Sequence, residues 1–161
     1  MAEGEILPLI EDAFRRRSNP KTYSDSRQMS ESELDDVLSV IGRDWRHLTS
    51  NDLEANFEVL YWLSPEAFCY YLPGILSIAV RENQPGLLTN HTVVAMLDCH
   101  ASVPSDLDDF SRPRWTLLTG NELGAVEKWL WWLSEQRDSG IDSARIMRAI
   151  ETIEMLRRHA A

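Results

Sequence analysis

Residues 63–80 read LSPEAFCYYLPGILSIAV: a helix start, a burst of aromatics, a proline–glycine pair and then an apolar run. A functional site, a membrane segment and a core element are the three competing readings. The start signal is strong. Ser64 is placed to cap, Pro65 falls at the first helical position, where its missing N–H is tolerated, and Glu66 lies at the positive end of the helix dipole. Pro73 removes one intrahelical bond and crowds the carbonyl four residues back. The expectation is a helix from Pro65 to about Tyr71, then a kink or a break and restart. Gly74 would relieve the crowding, and Ile75, Leu76, Ile78, Ala79 and Val80 would continue the core element. Residues 67–80 carry no charge. A spanning helix needs about 20 apolar residues, whereas runs of about 10–14 are buried core helices. The stretch is therefore read as core, and a membrane span is excluded on length.

Outward from this element the chain reads as helices joined by short turns, without sustained period-2 alternation. Ile6, Leu9, Ile10, Ala13 and Phe14 form a stripe at helical spacing over 5–17, with Pro8 in the opening turn and Arg15 to Arg17 suited to the C-terminal dipole. Residues 18–29 form a polar loop. Ser30 and Glu33 make a capping box ahead of Leu34, Val37, Leu38 and Ile41, with Gly42 as the stop. Thr49 or Ser50 caps a short helix through Leu53 and Phe57. ENQPG (82–86) is a turn, and Val93, Val94, Met96 and Leu97 lie on a helix over 90–100. Residues 101–113 form an acidic loop. Thr119 and Glu122 make a second capping box ahead of Leu123, Val126, Leu130 and Leu133, with Trp129 and Trp132 flanking that stripe and Trp131 pointing elsewhere. Gly140 stops this helix, and the terminal helix (141–161) buries Ile146, Ala149, Ile150, Ile153 and Leu156. The expected fold is all-α: one compact domain over 1–161, about seven short helices, and a Pro-kinked central core helix.

Size and composition agree. A chain of 161 residues with 43% hydrophobic and 26% charged residues fits a single globular domain that buries its own core. The opening MAEGEILPLI lacks the basic and long apolar regions of a secretory signal. Two isolated cysteines, Cys69 and Cys99, suit buried thiols in a reducing compartment. The expected location is cytoplasmic. The net charge of −10 is uneven. Residues 24–60 hold nine acids and three bases, and residues 61–111 hold six acids and one base. Phosphate contacts need clustered Lys and Arg, so nucleic acid and anionic lipid are excluded as partners. A protein with a basic surface is the complementary partner.

No motif carries recognisable chemistry. Asp98, Cys99 and His100 are consecutive, and on a helix neighbours point about 100° apart, so they do not converge on a metal. Cys69 sits among core aromatics. SDLDD (105–109) lacks the preceding buried strand of an acidic phosphotransfer loop, and the glycines form no phosphate loop. No catalytic residue, cofactor or metal is assigned.

Four stretches do carry a resemblance: IEDAF (10–14) followed by Asn19-Pro20, then DWRHLTSNDLE (44–54), LYWLSPEAFCYYLPGIL (60–76) and WTLLTGNELGAVEKWLWWL (115–133). In this order they resemble a family of small uncharacterised bacterial proteins with a central F-x-Y-Y-L-P motif. The resemblance covers roughly residues 5–135. It implies bacterial origin and a compact helical domain, and it implies no catalytic residue.

The function expected from these readings is a non-catalytic protein-binding module, in its most concrete form an immunity-type inhibitor of a bacterial toxin or effector. Asp35, Asp36, Asp106, Asp108 and Asp109 would supply the acidic contact, with Trp131 as an apolar anchor. The alternatives are an adaptor or structural subunit of a bacterial assembly, self-associating through the Trp-rich helix, and an enzyme whose site would gather Cys69, Cys99, His91 or His100.

Overall fold

The computed structural model describes residues 3–24 and 29–160, and of Asp36 the backbone alone. Part of the expected polar loop, residues 25–28, therefore lies outside the described residues. Among the described residues the chain is all-α, with one isolated bridge, between Ser24 and Leu63. Nine α-helices are described: α1 (Glu3–Phe14), α2 (Glu31–Val40), α3 (Ser50–Ala55), α4 (Val59–Trp62), α5 (Pro65–Arg81), α6 (Leu88–Leu97), α7 (Ser111–Trp115), α8 (Gly120–Ser134) and α9 (Ser143–His159). Single 3₁₀ turns cover Trp45–His47, Pro104–Asp106 and Arg137–Ser139. Sequence periodicity anticipates seven of the nine helices. The other two, α4 and α7, are four and five residues long. Helices that short are marginal on their own and are held by packing.

α5 is the axis of the fold. Ser64 caps it by accepting from the Ala67 N–H, and Ala67 through Val80 are buried on every face. The helix runs unbroken through Pro73, so of the two expected outcomes, a kink or a break and restart, the break does not occur. Proline in a helix interior costs about 3 kcal/mol, and each buried Leu or Ile contributes about 1.5–3 kcal/mol. Ile75, Leu76, Ile78 and Val80, all buried beyond the proline, outweigh that cost. Gly74 serves a different purpose from the one expected. A Cβ there would stand 2.7 Å from the Trp45 carbonyl oxygen, so glycine lets the Trp45–His47 turn lie directly on the helix. Tyr71 donates its hydroxyl to the Arg43 carbonyl at 3.1 Å, fixing the same segment from the next turn.

The elements around α5 close on themselves. α1 packs on α5 and on α8, α8 packs on α9, α9 on α6, and α6 returns to α5. Phe68 meets Trp115 of α7 edge-on, ring centroids 5.2 Å apart. Trp129 and Trp132 are fully buried, as the stripe on α8 requires. The capping boxes at Ser30/Glu33 and Thr119/Glu122 form as the sequence dictates, and Thr49 with Asp52 adds a third. Gly140 takes φ +70°, the left-handed conformation glycine adopts freely, but it closes the Arg137–Ser139 turn and not α8, which ends at Ser134.

Three local expectations are corrected. α1 ends at Phe14 rather than at Arg17, and it begins at Glu3, so Pro8 lies inside it. The reason at its C-terminal end is Arg17, which leaves the helix to pair with Glu122 of α8. Residues 111–113 belong to α7, because Asp108 accepts the Ser111 N–H at 2.6 Å and starts a helical turn inside the expected loop. On α2, Val37 and Val40 face the core, whereas Leu34 and Leu38 are exposed.

Candidate functional site

The residues expected to bind a partner are carried by different elements. Asp35 is exposed on α2, and the side chain of Asp36 lies outside the described residues. Asp106, Asp108 and Asp109 are exposed in the segment before α7, yet each also has a structural task. Asp106 accepts from the Ser102 and Val103 N–H groups at 2.9 and 3.3 Å. Asp108 starts α7, and Asp109 pairs with Arg112. Trp131 is 39% exposed on α8, between the buried Trp129 and Trp132.

The structure gathers a surface the sequence does not announce. Phe57 follows the end of α3 instead of extending its apolar stripe, because the helix stops at Ala55. Phe57, Tyr61 and Leu88 are 41%, 37% and 56% exposed. With His91, Thr92 and Ala95 of α6 they line a groove of about 340 Å³, edged by Glu58 and by Arg145, whose charge Asp98 offsets. A second depression of about 310 Å³, edged by Glu54, shares Leu88 with it. The two adjoin at Leu88 and together form a trough of mixed polarity beside α3, α4 and α6. The Tyr61 ring lies 5.8 Å from the Phe110 ring, so the acidic segment holding Asp108 and Asp109 runs up to the trough. The position is fixed from below by Arg114. Its buried guanidinium sits 3.8 Å over the Phe110 ring and donates to the Phe110 and Leu63 carbonyls at 2.7 and 2.8 Å. The only signal in the sequence is Asn56, a weak helix former after which Phe57 no longer shares the stripe of Leu53.

Of the groups considered for chemistry, Cys69, Cys99, His91 and Asp98 have partners in the fold, and His100 is exposed beyond the end of α6. The Cys69 thiol is fully buried, donates to the Arg114 carbonyl at 3.4 Å, and has its pKa pushed up to about 12 by burial. It is therefore neutral at physiological pH, and the thiolate is the nucleophilic form. Cys99 is half-buried, contrary to the expectation for both thiols, and its sulfur lies 3.7 Å from Thr152 Oγ1. His91 Nε2 lies 3.0 Å from the Ser139 carbonyl. α6 ends at Leu97, so Asp98 is free of the helix. It binds Arg145 and Arg148 of α9, and its carboxyl is held below the usual range chiefly by the hydrogen bond from Arg148. Among the described residues no three His, Cys, Asp or Glu side chains come together as a metal site requires, and no helix is long and apolar enough to cross a membrane.

A larger cleft, about 620 Å³, opens where the segment after α1 meets the starts of α5 and α8. Its floor is an ion pair between residues 105 apart in sequence. Arg17 Nε and Nη2 donate to Glu122 Oε1 and Oε2 at 2.7 and 2.8 Å, and Nη2 also donates to the Leu117 carbonyl at 2.9 Å. Glu122 Oε2 accepts the Thr119 N–H at 2.7 Å as well, so one buried carboxylate caps α8 and ties it to the segment leaving α1. The hydrogen bond to Glu122 raises the Arg17 pKa further above its ordinary value.

Residues 3–155 match the model of a family of unknown function, DUF6714, and the chain belongs to that family. No curated protein and no solved structure matches it.

Proposed function

We propose that this DUF6714 protein is a non-catalytic protein-binding module, and specifically an immunity-type inhibitor of a bacterial toxin or effector that presents a basic surface. In this reading the protein is bacterial and works in the cytoplasm, and the F-x-Y-Y-L-P stretch is a fold signature. One observation carries it: the trough of Phe57, Tyr61 and Leu88 opens in the part of the chain that holds the whole charge excess. Three large, partly exposed apolar side chains beside Glu54 and Glu58 have the make-up of an interface, with apolar anchors in the centre and charge at the rim. The acidic rim selects a basic partner and speeds its encounter. Asp35, Asp106, Asp108 and Asp109 extend that field, and Trp131 offers a separate apolar contact on α8.

The test is capture of partners from the source cells by the wild type and by a Glu54→Lys/Glu58→Lys double variant whose circular dichroism matches it. The expected result is a single basic protein in stoichiometric amount, released at about 0.5 M salt, where screening is effective within a few ångströms. The purified chain should block that protein's activity, and the double variant should lose both binding and inhibition. Equal binding by the variant, or recovery of the chain alone as a self-associated species in sedimentation, overturns the reading.

A further inference from the structure

We propose that the 620 Å³ cleft between the 16–21 segment and the start of α8 is a binding site for a small anionic ligand, one carrying a phosphate or carboxylate group. This goes beyond the partner-binding role and rests on different residues. The chain carries a net charge of −10, yet residues 15–21 hold four bases and no acid. Two of the four are committed: Arg15 pairs with Asp12 at 3.3 Å, and Arg17 with Glu122. Arg16 and Lys21 line the cleft and have no ion-pair partner among the described residues. Among the described residues Glu66 is the one other carboxylate lining it, and the Arg17–Glu122 pair is neutral, so the described lining carries a net positive charge.

The cations are held on a fixed backbone. Pro20 is buried, Ser64 Oγ donates to the Thr22 carbonyl at 2.6 Å, and the Ser64 N–H donates to the Tyr23 carbonyl at 2.8 Å. The same serine that caps α5 therefore anchors the segment bearing Arg16 and Lys21. A preformed wall lowers the ordering cost of binding. Charge-assisted hydrogen bonds from a guanidinium and an ammonium suit the oxygens of phosphate or carboxylate. Asn19 and Thr119, also in the lining, add neutral donors. The volume lies in the range of small-molecule sites, about 300–1,000 Å³.

The test uses the full chain at constant ionic strength, titrated with inorganic pyrophosphate or malonate against sodium chloride, and read by calorimetry and by the thermal midpoint. Arg16→Gln/Lys21→Gln is the decisive variant, since both side chains are exposed and the fold does not depend on them. The expected result is saturable binding by the wild type with roughly a tenfold or greater loss of affinity in the variant, the scale of one lost charge-assisted contact. A stronger response to pyrophosphate assigns a phosphate ligand, and a stronger response to malonate a carboxylate. A midpoint no higher than in chloride, or equal binding by the variant, overturns the proposal. The Glu54→Lys/Glu58→Lys variant should retain anion binding, which keeps this outcome separate from that of the partner experiment.

Discussion

Replacing Glu122 by glutamine tests the most consequential long-range contact in the fold. The substitution conserves shape and leaves one carbonyl oxygen to accept the Thr119 N–H. It removes the charge and sets an amide donor against the donors of Arg17. Glu122 is buried, whereas the Arg17 side chain is about one-fifth exposed, so water partly compensates the arginine and not the glutamate site. Removing one partner of a fully buried pair costs about 3–5 kcal/mol. The partial exposure of Arg17 moves the expectation to the bottom of that range or just below it, about 2–3 kcal/mol. In a domain of this size about 1 kcal/mol shifts the thermal midpoint by about 2–4 °C, so the loss should be roughly 4–12 °C. Urea unfolding followed by tryptophan fluorescence reports it directly, since Trp129 and Trp132 lie on the helix that Glu122 caps. Arg17→Met and the double variant complete a cycle, with an expected coupling of about 1–3 kcal/mol. A Glu122→Gln protein within about 0.5 kcal/mol of wild type, or additive single effects, would show that α1 and α8 are not tied through this pair.

Gly74→Ala should destabilise by about 1–3 kcal/mol through overpacking against the Trp45 carbonyl, reversing the roughly 1 kcal/mol helix preference for alanine; a more stable variant in thermal melts sinks the close-approach argument. Cys69 should resist a thiol reagent in the folded protein at about pH 8 while Cys99 reacts, and two rapidly labelled thiols would contradict the neutral, buried assignment. Burial pushes the Tyr71 hydroxyl up to about 12 from an unfolded value near 10. Its contribution is thus complete below about pH 10 and is lost as pH rises through about 12, because the unfolded chain releases its proton first. Tyr71→Phe should cost about 1 kcal/mol at about pH 7 for the lost bond to Arg43, and the gap from wild type should narrow between about pH 10 and 12; parallel curves in alkaline denaturation refute the linkage.

Most helix starts were legible because their causes lie within three or four residues. Ser30 with Glu33, Ser64 with Pro65, and Thr119 with Glu122 are local pairings, and the α8 and α9 stripes follow from a period that any amphipathic helix shares. The errors have a common physical origin. α4 and α7 are too short for periodicity to register, and packing forms them. Leu34 and Leu38 match the helical spacing as well as Val37 and Val40 do, and which pair turns inward depends on the neighbour the helix meets. Phe57 fails as a stripe residue because α3 stops two residues before it, and that stop leaves it on the surface where the trough forms.

By itself, then, the sequence determined the fold class, the buried character of residues 67–80, the inward Trp129 and Trp132, and the location of the acidic excess, all properties of composition and short-range chemistry. Tertiary structure alone decided that Glu122, already the local cap of α8, also holds Arg17, that Gly74 lies against the Trp45 carbonyl, and that Phe57, Tyr61 and Leu88 share a trough. Those relations join residues up to 105 positions apart. No local preference encodes such a meeting; it exists only once the packing of α1, α5, α8 and α9 has fixed which faces touch.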